Sequence, residues 1–269
     1  MATEHKHSFE REFDILCKSA EKASKELLLI VENGFEKSFK ENEDPVTTGD
    51  FTVNNILQEE FIKHFPDIGW LSEETRDNPE RLEKELVWIV DPIDGTKEFV
   101  MGIPEYSISV ALVKNGLPVI GLILNPLREE IFTAVKGEGA FLNGKAIKVK
   151  ETLDEKPTIV ASRSEIKRGE FEPFENKAKV IPTGSIAYKL ALVAAGRADG
   201  TFSLGPKNEW DIAAGCLIIE EAGGEAKDQY GQSFIFNQKD TLVNSIVGTS
   251  KVASQQIYGM IKKVRNKNE

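Results

Sequence analysis

Trp88-Ile89-Val90-Asp91-Pro92-Ile93-Asp94-Gly95-Thr96 is the stretch that decides how this chain is read. It opens on a continuous apolar run, the composition of a strand buried on both faces. Pro92 has no amide donor and cannot continue regular pairing. Two carboxylates therefore arrive at the C-terminal end of a buried strand, close together and next to a glycine. That edge is where an α/β or α+β enzyme holds its ligand. Two carboxylates so near repel unless a cation lies between them. The plainer alternative is a local turn at Asp91, with Asp94 capping a helix that starts near Thr96.

Further acids lie outward from this stretch. Ser72-Glu73-Glu74 precedes it, at a strand-to-loop transition, and Glu209-Trp210-Asp211 lies far downstream. Asp50 and Asp211 each head a helix, where capping is the ordinary role; Glu73 alone reads equally as a solvated loop residue. A set of carboxylates without clustered His or Cys argues for Mg²⁺, with Mn²⁺ as a substitute, rather than zinc. Gly95-Thr96 stands at a helix N-terminus, whose unpaired amides accept a phosphoryl oxygen, and the Thr96 hydroxyl would orient a water. A carboxylate at Glu73 shared with a metal-bound water would take that water's proton.

The periodicity divides the chain in two. Helices are expected over 9–31, from Phe9, Phe13, Leu16, Ala20, Ala23, Leu27 and Ile30, and from Asp50 to about Phe65. Residues 74–85 are highly charged and read as a solvent-facing excursion. Strands at 106–113, 117–124, 131–135 and 147–149 form an antiparallel meander, its first turn at Lys114-Asn115-Gly116. The polar stretch 150–156 is the expected boundary between an N-terminal α+β domain (1–150), holding most metal ligands, and a C-terminal α/β domain (151–269), supplying Asp211 and the substrate-recognition residues. In the second half, strands are expected at 158–161, 198–204 and 242–248, and helices at 185–195, 211–222 and 254–263.

The bulk numbers exclude several classes. The formal charge of −10 disfavours non-specific nucleic-acid binding. The N-terminus is polar, without the apolar core of a signal peptide, and no run approaches the length of a membrane span. Cys17 and Cys216 both fall in apolar helical patterns, as expected of free thiols in a reducing, cytoplasmic compartment. The three histidines, His5, His7 and His64, are expected to be spectators.

Asp91-Pro-Ile-Asp-Gly-Thr96, together with Trp210-Asp211-Ile-Ala-Ala-Gly215 and Glu221-Ala-Gly-Gly224, resembles the two-part signature of the inositol monophosphatase superfamily. The resemblance runs over nearly the whole chain from about residue 9. It implies a layered α-β-α-β-α sandwich and a lithium-inhibited, Mg²⁺-dependent phosphomonoesterase using two or three ions per site. It implies metal ligands at Glu73, Asp91, the Ile93 carbonyl, Asp94 and Asp211, a water-orienting Thr96, and a catalytic Asp50 near a third ion. A homodimer and a small phosphorylated substrate also come from the resemblance. Within the superfamily the chain is most similar to CysQ-type 3′(2′),5′-bisphosphate nucleotidases, through Lys97-Glu98-Phe99 and Gly205-Pro206-Lys207-Asn208-Glu209. Inositol-type members place a hydroxyl-gripping glutamate where this chain has Leu204. Gly95, Thr96, Gly184, Ser185, Lys189 and Glu209 are the expected substrate contacts, with Lys189 reaching a nucleotide 5′-phosphate. Inositol 1-phosphate and fructose 1,6-bisphosphate are the alternative substrates.

Overall fold

The computed structural model describes residues 9–40 and 44–268. His5 and His7 lie outside them. In chain order the helices are α1 (Glu10–Asn33), α2 (Thr48–His64), α3 (Thr96–Val100), α4 (Arg163–Lys167), α5 (Ile186–Ala194), α6 (Glu209–Glu221) and α7 (Lys251–Asn268). The strands of the first half are β1 (Lys37–Phe39), β2 (Pro45–Thr47), β3 (Gly69–Ser72), β4 (Leu86–Asp94), β5 (Ser107–Lys114), β6 (Leu117–Asn125), β7 (Glu130–Val135), β8 (Gly139–Leu142) and β9 (Lys145–Ile147). Those of the second half are β10 (Thr158–Ala161), β11 (Lys179–Pro182), β12 (Gly200–Ser203), β13 (Lys207–Asn208), β14 (Glu225–Lys227), β15 (Leu242–Val243) and β16 (Ile246–Thr249).

Strands β3 to β9 form one sheet in sequence order, and a second sheet runs β11-β10-β12-β16-β14. Strand alternation distributes the core. In β4, Trp88 and Val90 join Ile108, Val110 and Leu112 of β5 against α1 and α2. Val87 and Ile89 face the other way, toward α5 and α6. The far sides of α5 and α6 meet the second sheet, whose outer face packs on α7 through Ile257, Met260 and Ile261. The layers therefore run α-β-α-β-α, the sandwich that the resemblance implies. Helices α5 and α6 are buried on nearly every side because they lie between two sheets. Gly121 of β6 is part of that closeness: a Cβ there would come within 2.9 Å of the Ala214 carbonyl oxygen of α6.

The stretch 150–156 separates the strands of the two sheets, while the central core takes Leu71 and Val87 from one side of it and Val160, Leu217 and Ile246 from the other. The charged excursion at 74–85 is not wholly solvent-facing. Arg81 is buried, bonded to Asp77, the Asn237 side chain and the Gln238 carbonyl. The single strand expected at 242–248 is two strands in different sheets: β15 pairs with β13, and β16 with β12 and β14. Among the described residues no helix is long and apolar enough to cross a membrane. Cys17 and Cys216 are free thiols, and His64 stands near Glu60, away from the cavity described next.

Candidate metal centre and active site

The deciding stretch ends in a bulge. Asp91 pairs with Ser109 and Asp94 with Ser107, so β4 spends one more residue than β5 over this step. Without the extra residue, Asp91 and Asp94 would face opposite sides of the sheet. With it, Ile93 turns into the α1/α2 core, and both aspartates line one cavity on the α5/α6 side. Pro92, without an amide to pair, sits where the ladder is broken.

Two other elements aim carboxylates at this cavity. β3 runs parallel to β4 and delivers Glu73 just past its end, where the Glu73 amide still donates to the Val90 carbonyl. The first turn of α6 presents Asp211, whose Oδ2 accepts from the Asn208 amide at 2.8 Å. Its position is favoured by the positive end of the helix dipole. One oxygen each of Glu73, Asp91 and Asp211 lies within 4.8 Å of the others. Asp94 lines the same cavity but stands outside that trio. Its Oδ2 accepts from the Ser185 hydroxyl at 2.5 Å and the Ala187 amide at 2.6 Å, at the start of α5.

Burial pushes the Asp91 and Asp211 carboxyls well above the usual range, and repulsion among the neighbouring carboxylates adds to it. Burial also raises Asp94, to about 6, against the opposing pull of Ser185, Ala187 and Lys189. Such a group is electrostatically incomplete without positive charge. All its donors are carboxylate oxygens, and neither histidine nor thiol lines the cavity among the described residues. The set fits a hard divalent cation. Lys40 supplies part of the missing charge, with Nζ 2.7 Å from Glu73 and 2.5 Å from Glu74. Nothing in the charged run around Lys40 marks it in the sequence.

Asp50 is both the cap it resembles and a partner of the site. Its Oδ2 accepts from the amide and hydroxyl of Thr47 at the start of α2. Its Oδ1 lies 3.2 Å from the Thr96 hydroxyl, which also lies 3.0 Å from the Ile93 carbonyl oxygen. Asp50 is buried, stands behind Thr96 rather than on the cavity wall, and is raised in pKa by that burial. Gly95 opens α3 with φ of +94°, and a Cβ there would press on the Glu105 carbonyl oxygen and the Ser185 amide. Gly184 is tighter: its Cβ would come within 2.4 Å of Glu98 and 2.5 Å of the Glu105 carbonyl oxygen.

The cavity, of about 350 Å³, gathers Glu73, Asp91, Ile93, Asp94, Gly95, Thr96, Gly184, Ser185, Lys189 and Asp211. One expected contact, Glu209, is placed otherwise. It is buried away from the cavity, its two oxygens taken by the Asn237 and Gln238 amides at 2.6 and 2.9 Å. It anchors the 237–238 loop and touches no cavity wall. Lys189 is on the wall but buried, with Nζ 3.3 Å from the Thr183 carbonyl oxygen and its charge facing Asp94, Glu165 and Glu98. Burial lowers the Lys189 pKa, against the opposing pull of those carboxylates. The wall also includes Glu165, Arg168, Ser203 and Lys207, which the sequence did not single out for substrate contact.

The model of the inositol monophosphatase family matches residues 10–267. An inositol-1-monophosphatase of Mesorhizobium japonicum is 35% identical over 236 residues, covering 84% of this chain and 86% of its own. The Nus factor SuhB of Pasteurella multocida is 35% identical over 217 residues, covering 75% and 80%. An IMPase structure from Thermotoga maritima superposes with a TM-score of 0.83 at 30% identity, over 95% of this chain and 98% of that one. Family-wide match, fold and carboxylate cluster agree: the chain is a Mg²⁺-dependent phosphatase-type enzyme and belongs to the inositol monophosphatase family.

Proposed function

We propose that this enzyme hydrolyses the phosphate monoester of a small polyol, with myo-inositol 1-phosphate as the reference substrate. The carrying observation is the cavity wall: it is rich in hydroxyls, carboxylates and cations, and no aromatic ring lines it among the described residues. Adenine recognition draws on aromatic or broad apolar faces; ring hydroxyls need short polar groups. The name of the Mesorhizobium relative supports the same reading. The nucleotidase reading retains Arg168 and Lys207 as cations on the wall, but its sequence anchor, Lys189, faces protein carboxylates.

Glu73, Asp91 and Asp211 would hold the divalent cations, with Asp94 and the Ile93 carbonyl at their edge. When bound, these ions supply Lewis-acid charge to the phosphoryl oxygens and acidify water. Thr96 positions the attacking water. As the water oxygen bonds to phosphorus, its proton passes to Thr96 Oγ1, and the Thr96 proton passes to Asp50 Oδ1. The raised pKa of Asp50 suits it to receive that proton. Asp50 with Thr96 is thus a better-placed base than Glu73, which is paired with Lys40. The first amides of α3 face the equatorial oxygens. The phosphorus–alkoxide bond breaks, and the leaving oxygen takes a proton from water.

Measuring kcat/KM with Mg²⁺ on myo-inositol 1-phosphate, adenosine 3′,5′-bisphosphate and fructose 1,6-bisphosphate tests the assignment. The inositol ester is expected to lead by about tenfold or more, roughly 1.4 kcal/mol. A lead for the nucleotide would reverse it.

A further inference from the structure

We infer that Glu165 is the residue that grips the alcohol half of the substrate, accepting a hydroxyl across the cavity from the carboxylate cluster. The inference rests on the polyol reading above. Ser162-Arg163-Ser164-Glu165 spells a capping box at the start of α4. Only half of the box forms: the Ser162 hydroxyl accepts from the Glu165 amide, and the Glu165 side chain does not return the bond to Ser162. It lies instead on the cavity wall, buried. There Oε1 accepts from the Ser203 hydroxyl at 2.5 Å and from Lys207 Nζ at 3.3 Å. Oε2 is buried and has no hydrogen-bond partner among the described residues.

A buried carboxylate oxygen without a donor is uncommon in a folded protein and is destabilising. Here the missing donor has a direction to come from, because the side chain borders the cavity. The last torsion of a glutamate is soft, so a small turn presents either oxygen to an entering hydroxyl. The neighbouring wall carries the Ser162, Ser164 and Ser203 side chains, suited to further hydroxyls. Lys189 faces both Asp94 and Glu165. Glu165 and the Asp91, Asp94 and Asp211 carboxylates thus line one cavity of about 350 Å³, with Lys189 also on its wall.

The test compares kcat/KM with Mg²⁺ on myo-inositol 1-phosphate and on 4-nitrophenyl phosphate, whose leaving group has no hydroxyl to offer. Wild type, Glu165→Gln and Ser203→Ala are measured. Loss of one charge-assisted hydrogen bond predicts that Glu165→Gln loses about 10- to 150-fold more on the inositol ester than on the aryl ester. The difference should fall on KM, since the contact does not change while phosphorus reacts. Ser203→Ala keeps the carboxylate but releases its anchor, and should shift the ratio the same way by less. Equal losses on both esters would make Glu165 a support for β12 and β13 and overturn the inference, as would no loss on either. A wild type that does not prefer the inositol ester would count against the polyol reading itself. The same ratio is then taken with whichever hydroxylated ester the wild type prefers, so that Glu165 is judged either way.

Discussion

The metal-ligand role expected of Asp94 conflicts with its burial. A cation needs it ionised, and burial raises its pKa to about 6. In the metal-free protein the folded state therefore holds a proton on Asp94 in a window where the unfolded chain does not, from the ordinary carboxylate value up to about 6. The contribution of this group to stability falls as pH rises through that window. A cation must displace the same proton, so its affinity should rise with pH there. The gap in melting temperature between Mg²⁺-loaded and chelated protein is expected to widen from about pH 5 to about pH 7. A constant gap would contradict this account. Lys189 gives a second expectation. Because it faces Asp94, Glu165 and Glu98, Lys189→Met should lower kcat/KM on nucleotide and inositol esters alike and lower the melting temperature. Selective loss on the nucleotide would support the 5′-phosphate role instead. The aspartates were legible in sequence because acid after an apolar strand has few other uses. Lys189 was legible as a cavity residue but not as a buried one: it sits inside the apolar run Ile186-Ala187-Tyr188-Lys189-Leu190-Ala191, on a helix packed between two sheets.

Between elements, the turn before α5 is the tightest joint. Glu105 accepts from the Gly184 amide and pairs with Arg163. Ser185 follows with φ of +56°, a strained value for a residue with a side chain, and hands its hydroxyl to Asp94. Gly184→Ala would drive a methyl into Glu98 and the Glu105 carbonyl. The turn must shift, taking Ser185 and the first amide of α5 off Asp94. A kcat loss of at least about tenfold is expected, with destabilisation of about 1–3 kcal/mol by overpacking; an unchanged kcat would show that Asp94 does not depend on this turn. Sequence periodicity located nearly every long helix and strand, because burial of one face imprints a period. It did not show the β4 bulge, since Pro92 announces a break without saying which way the next side chain turns. It also joined β15 to β16, for two short apolar runs look alike whichever sheet they enter.

At the scale of the molecule, the carboxylate trio joins parts that meet only in the folded chain. Glu73 follows β3, Asp91 belongs to β4, and Asp211 opens α6, which is packed between the two sheets. The unfolded chain holds no such cluster, so a bound divalent cation stabilises the fold by mass action. At a cation concentration of about 100 times Kd the gain is about 2.7 kcal/mol. For a chain of this size that is roughly 5–10 °C in melting temperature. General screening of the net charge of −10 would also stabilise, and must be separated. Chelated protein titrated with Mg²⁺ at ionic strength held constant with monovalent salt isolates site binding. The melting temperature should rise by that amount and saturate, and activity should return over the same concentration range. Asp211→Asn should remove most of the rise while keeping a cap on the Asn208 amide through its side-chain carbonyl. A rise that monovalent salt reproduces, or that survives Asp211→Asn unchanged, would mean that the cation acts on surface charge and that the carboxylate trio is not its site.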